Sequence, residues 1–177
     1  MDDDVTAMEL GENELREITL YAASCARQAL SLFESRYPAD RRPRDAIEGA
    51  EAFAQGGKRT AQLRSLAWAA HAAARETQDP AASDAARAAS LAAAAAYLHP
   101  KASPHQVRHI LGSAAHQARA LEIAAGEDET VGNEQLGWAL EHAPPAVRDV
   151  LRRMPNVPAG RGRMGDFLRE LDTRLRG

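Results

Sequence analysis

The sequence has one cysteine, few aromatic residues and no long apolar run, and each shortage excludes something. A single Cys25 in 177 residues forbids an internal disulfide and leaves no thiolate pair to hold a structural metal. It sits in a helical apolar pattern with no histidine near it in sequence, the setting of a packed thiol rather than a nucleophile. Aromatics make up 5% of the chain, so the core must be assembled from smaller side chains, which argues against a large internal ligand cavity. No apolar stretch approaches the roughly 20 residues that cross a bilayer, and Ala92–Ala96 is short and weakly apolar. Met1-Asp2-Asp3-Asp4 lacks the basic start and apolar segment of an export signal, which predicts a cytoplasmic protein with no membrane partner. With 22 Lys and Arg against 25 Asp and Glu, a formal charge of −3, the chain lacks the basic excess of a general nucleic-acid binder. It also lacks a glycine-rich phosphate loop, a Gly-x-Ser-x-Gly elbow and a His-Glu-x-x-His pair. No catalytic residues and no cofactor are therefore expected.

What is present in abundance is alanine, 39 residues. Alanine is the best helix former and loses no side-chain entropy on folding. It buries little area, so stability has to come from closely approaching backbones. With no run of β-branched alternation, the expected fold is all-α: a single compact bundle of seven to eight alanine-rich helices without a sheet. Residues 1–11 read as an acidic tail or lead-in and 12–177 as one helical domain. Helices are expected at about 14–37, 43–55, 59–77, 80–98, 103–126, 130–141, 145–153 and 164–176. Gly11 with Glu14, Asp79-Pro80, Ser103-Pro104 and Pro145 mark starts, and Pro38, Gly56-Gly57, His99-Pro100 and Gly126 mark ends. Links between the second and fifth segments are short, but no fixed period supports a helical repeat.

Two helical stripes stand out. On the fifth helix His105, His109 and His116 fall within roughly 40° of one another, opposite Val107, Ile110, Ala114 and Leu121. The stripe carries no Lys, Glu or Arg, so the simplest account is a central helix covered on both sides, its imidazoles hydrogen-bonded at a helix–helix contact. Two other accounts stay open: a metal site built on the i, i+4 pair, with His71 or His99 as further ligands, and a polar binding surface. The nearest carboxylates in sequence, Glu122 and Glu127, do not share the stripe, and His116 is about 10 Å along the axis from His109. On the third helix Arg64, Trp68, His71 and Arg75 lie off the Leu63/Leu66/Ala70/Ala74 core stripe. Trp and Arg dominate binding hot spots, while the plainer expectation is a tryptophan packed under a neighbouring helix with arginine stems over it. Basic residues also gather late in the chain, from Arg148 to Arg176, interrupted by Asp149, Asp166, Glu170 and Asp172 as on a solvated amphipathic face. Arg161 and Arg163 in a glycine-rich loop offer a weaker anion or nucleic-acid site.

Three segments together resemble one family. They are Arg42-Pro43-Arg44-Asp45-Ala46-Ile47 leading into Ala67–Ala74; Ala95–Pro100 followed by Val107–Leu111 and Ala115-His116; and Leu151–Pro155 with Gly160–Arg163. They look like the immunity proteins of bacterial polymorphic-toxin systems, a small all-helical family. The resemblance implies a cytoplasmic, non-catalytic protein that neutralises a cognate toxin by contact, and it transfers no catalytic residue. On that reading Arg64, Trp68, His71 and Arg75 are the candidate partner-binding residues, and Asp2–Asp4 would steer a basic partner such as a nuclease. The alternative is a His-based metal-binding protein or metal-dependent helical enzyme. Self-association stays open.

Overall fold

The structure, a computed structural model, describes residues 7–177; Asp2–Asp4 lie outside the described residues. Among the latter there are eight helices and no sheet: α1 Glu12–Glu34, α2 Arg42–Ala54, α3 Ala61–Glu76, α4 Pro80–Ala95, α5 Pro104–Ala124, α6 Glu129–Glu141, α7 Pro145–Arg152 and α8 Gly162–Arg176. Caps set most of the starts. Asp79 accepts from the Ala82 N–H at 2.9 Å, Ser103 from Gln106 at 3.3 Å and Thr60 from Leu63 at 3.4 Å, each satisfying one orphan donor of a first turn. At α1 the Gly11 N–H donates to Glu14 at 3.0 Å, the half of a capping box that glycine can make. α5 ends on two successive left-handed residues, Gly126 (φ 76°) and Glu127 (φ 64°). Glu127 tolerates that conformation while its carboxylate accepts from Arg119 at 2.5 and 3.0 Å. The lead-in is attached rather than loose: Ala7 bridges Lys101, the Met8 N–H donates to the Pro100 carbonyl at 3.1 Å, and Met8 and Leu10 pack on the core.

α4 is the hub, packed against α1, α2, α3 and α5, while α5 also meets α1, α6 and α8. Ten of the sixteen residues of α4 are alanine and all but Ala94 are buried. Methyl side chains let the neighbours approach so closely that serines reach across to backbone. Ser83 and Ser90 of α4 donate to the Ala74 and Ala67 carbonyls of α3, and Ser113 of α5 to the Ala88 carbonyl of α4, all at 2.8 Å. The larger apolar groups, among them Ile18, Ile47, Ile110, Leu136 and Phe167, fill the main core around this hub. A smaller cluster around Phe33, Ala73 and Ala85 closes the end where α1, α3 and α4 converge. Cys25 is fully buried and burial pushes its thiol up to about 12, the packed thiol the sequence implies.

Two carboxylates are buried among the described residues, Asp172 at 3% exposure and Glu122. Glu122 of α5, 1% exposed, accepts from Arg119 at 2.7 Å and from Arg163 of α8 at 2.6 and 2.9 Å. Arg163 also donates to Asn133 of α6 at 2.9 Å and lies 4.2 Å over the Phe167 ring. A Cβ at Gly132 would stand 2.0 Å from the Glu122 carboxylate, so only glycine leaves room for this junction. The expectation of an anion-binding loop at Arg161 and Arg163 is thereby corrected: α8 already begins at Gly162, and Arg163 is spent on Glu122.

Candidate interaction face on helices α3, α4 and α5

α3 turns Leu63, Ala67, Ala70, Ala73 and Ala74 inward against α2 and α4. The four residues singled out on its other side therefore face outward. Trp68 is 68% exposed, one of two exposed large hydrophobic residues among those described. It does not pack under a neighbouring helix as the plainer expectation had it, because α2 and α4 both lie on the opposite side of α3. Its ring meets that of His71 edge-on, with centroids 6.3 Å apart. Arg64 lies 4.6 Å over the Tyr97 ring at the end of α4, with Arg59 5.6 Å from the same ring. The Tyr97 hydroxyl donates to the Thr60 carbonyl, which fixes that platform. Burial, with Arg87 and Arg75 close by, holds His71 below the usual histidine range and favours its neutral form.

α4 lies between α3 and α5, and its outer side shows Asp84, Arg87 and Leu91, all partly exposed. The histidine stripe of α5 borders it on the far side. The expectation of a fully covered second face is corrected here: His105 is exposed and His109 and His116 are only partly buried. Nor does the stripe lack a carboxylate. His116 Nδ1 is 2.5 Å from Asp84 Oδ1, a partner 32 positions away that no helical wheel of α5 contains. His105 and His109 instead meet each other, Nε2 to Nε2 at 3.0 Å. His109 is held below the usual range by burial first, then by His105 and His99. Among the described residues no three His, Cys, Asp or Glu side chains gather closely enough to hold a metal ion. The three histidines thus share a side of the helix without forming one cluster.

The distribution of unpaired charge, which sequence reading missed, sets this face apart. Of the 22 lysines and arginines, thirteen arginines have a carboxylate within 4.0 Å. Of the nine without one among the described residues, seven lie between positions 58 and 108: Lys58, Arg59, Arg64, Arg75, Arg87, Lys101 and Arg108. The other two are Arg148, which donates to the Leu140 carbonyl, and Arg161. The three carboxylates within the same stretch are engaged from outside it, Glu76 by Arg42, Asp79 by Arg36 and Asp84 by His116. By contrast three of the four arginines of α8, Arg169, Arg174 and Arg176, pair with carboxylates of their own helix, and the fourth, Arg163, pairs with Glu122. A chain that is acidic overall thus carries a locally basic side, with one exposed indole in it. A count of opposite charges by position hints at this; only the pairing across helices reveals it.

No helix among the described residues is long and apolar enough to cross a membrane. A family model described as "Imm-5 like putative immunity protein" matches residues 8–146. The matched span holds α1 to α6 and the whole of the face just described. α8 lies outside it, as does Leu151–Arg163, one of the three segments carrying the resemblance. No curated protein and no solved structure matches the chain.

Proposed function

The chain belongs to the Imm-5 like immunity protein family, and on that footing we propose that it acts in the cytoplasm by binding a cognate bacterial toxin and blocking it by contact, without catalysis. The docking surface is the α3 side of the bundle, with Arg64, Trp68, His71 and Arg75 as its centre. The observation that supports this is the coincidence of an exposed tryptophan with the stretch whose cations have no carboxylate partner among the described residues. An indole 68% exposed to water contributes almost nothing to folding, yet it is the side chain most enriched at interface centres. Cations that have no carboxylate within 4.0 Å among the described residues are available to pair outside the molecule. The complementary surface on the toxin is accordingly acidic, with an apolar recess for the indole.

The test is protection of cells that express a toxin domain encoded beside this gene, combined with calorimetry of the purified pair. Trp68→Ala should weaken binding by about thirtyfold or more, the effect of a hot-spot residue. Reversing charge at Arg64 and Arg75 should slow association and abolish its salt dependence. Full protection and unchanged affinity in the combined Arg64, Trp68, His71 and Arg75 alanine variant would refute the surface assignment. Binding of random oligonucleotides in place of any protein would refute the partner class.

A further inference from the structure

Asp84 and Arg87 are spaced to pair with each other and do not. Asp-x-x-Arg occurs three times within the helices, at Asp84/Arg87 in α4, Asp149/Arg152 in α7 and Asp166/Arg169 in α8. Residues three apart are neighbours on a helix surface, and opposite charges there attract. Asp149 accordingly meets Arg152 at 2.9 Å, and Asp166 meets Arg169. In α4 the carboxylate is taken instead by His116 of α5, whose Nδ1 is 2.5 Å from Asp84 Oδ1. That leaves Arg87, only partly exposed, without a carboxylate partner among the described residues. No other acid on these helices can serve it: the carboxylates of α3 and α4 are Asp84 and Glu76, and Glu76 is held by Arg42 of α2.

The serine contacts place Arg87. Ser83 on Ala74 and Ser90 on Ala67 set an antiparallel register of α4 against α3, in which Ala86 and Arg87 lie level with His71 and Ala70. Arg75 is then about 6 Å along α3 from His71, and Trp68 about 4.5 Å the other way. Burial comes first in holding His71 below its usual range, and the charges of Arg87 and Arg75 come next, so both guanidiniums act on the same imidazole. We propose that Arg87, with Arg75 and His71, binds a carboxylate at the α3–α4 seam, and that His116 keeps Arg87 free for it by holding Asp84. The source of the carboxylate, an acidic side chain of the toxin seated beside the Trp68 indole, rests on the docking surface proposed above. A guanidinium takes a carboxylate through two parallel N–H···O bonds. His116 is a positioning residue: without its donor, Asp84 turns to Arg87, as its counterparts in α7 and α8 turn to theirs, and fills the site from within.

The experiment is a nuclear magnetic resonance titration of the isotope-labelled full-length protein with a capped hexaglutamate peptide at constant ionic strength. The Arg87 side-chain and His71 resonances should shift saturably, and Arg87→Ala should weaken binding, followed at His71, by about tenfold. His116→Ala, checked for folding by circular dichroism, should weaken it by about two- to fivefold, the strength of a partly exposed ion pair competing for Arg87. His116→Asn, whose amide nitrogen stands about where Nδ1 stands, should keep the parent affinity. Asparagine and alanine carry the same charge, so the two variants separate a held Asp84 from a lost cation. Asp84→Ala in the His116→Ala background should restore binding. Absence of a saturable shift, unchanged affinity in Arg87→Ala, or His116→Asn as weak as His116→Ala would overturn the proposal. Toxin binding that responds to Trp68→Ala but not to Arg87→Ala also overturns it and leaves the docking surface standing. Peptide binding that follows Arg87 and His116 while the toxin ignores every α3 substitution supports the carboxylate site and removes the docking surface.

Discussion

Glu122→Gln tests the junction that ties α5 to α8. The substitution keeps the shape of the side chain and removes its charge at a position 1% exposed. Arg163 then loses a two-oxygen acceptor held at 2.6 and 2.9 Å, and its guanidinium stays pinned between Phe167 and Asn133. Breaking a buried pair by removing one partner typically costs about 3 to 5 kcal/mol. Here the arginines are not deeply buried, with side chains 23% (Arg163) and 21% (Arg119) exposed, and Arg119 retains Glu127. Solvent can take up part of the stranded charge, so the cost should fall to about 2 to 3 kcal/mol. For a domain of this size that lowers Tm by about 4 to 12 °C. Urea unfolding followed by circular dichroism gives the free energy. A double-mutant cycle with Arg163→Met should return a coupling of at least about 1 kcal/mol, because each single variant strands the other's charge. If Glu122→Gln stays within about 0.5 kcal/mol of the parent, the junction does not hold α8 in place.

Glycine substitutions should separate packing from propensity. A Cβ at Gly165 would lie 2.4 Å from the Gly160 carbonyl carbon and 2.6 Å from its oxygen, backbone that cannot move aside, so Gly165→Ala should cost about 2 kcal/mol or more by urea unfolding. Gly137 in α6 faces open space, so Gly137→Ala should stabilise by up to about 1 kcal/mol in the same assay. Acid should destabilise the protein in two stages, read as Tm against pH. His71 and His109 bind protons less readily folded than unfolded. The unfolded chain therefore takes up more protons as pH falls below about 6.5, and stability drops until the lowered folded values are passed. His109→Gln should flatten that stage. A second loss should begin below about pH 4.5, as Glu34, Asp40, Glu76 and Glu127, held down by Arg44, Arg42 and Arg119, are protonated. A single transition below pH 4.5 would remove the histidine contribution.

The helices were legible in the sequence because their signals are local. Asp79-Pro80, Ser103-Pro104 and Pro145 act within one turn, and the observed starts fall on them. The helix ends expected near Tyr37 and Leu98 came out about three residues long, because Glu34 and Ala95 are the last positions before tighter turns. What stayed illegible is whatever depends on a neighbour distant in sequence. A wheel of α5 places three histidines together but cannot supply Asp84, and it cannot supply Glu122 with its partner Arg163, 41 positions on. For Trp68 the wheel found the right side of α3 and could not say that no helix would cover it. Recognition residues are hard to tell from core residues when both are large and apolar; what separates them is which neighbours arrive.

The alanine hub has a consequence for how such a protein can change. α4 meets its neighbours through methyl groups and serine hydroxyls, contacts that do not involve the outward positions 64, 68, 71 and 75 of α3. If the outer side of α3 is the docking surface proposed above, folding and recognition are written on different sides of the same helix. The outer side can then be rewritten residue by residue without disturbing the scaffold, whereas almost any enlargement on the inner side would force the helices apart. The scaffold is the fixed grammar and the exposed side the vocabulary.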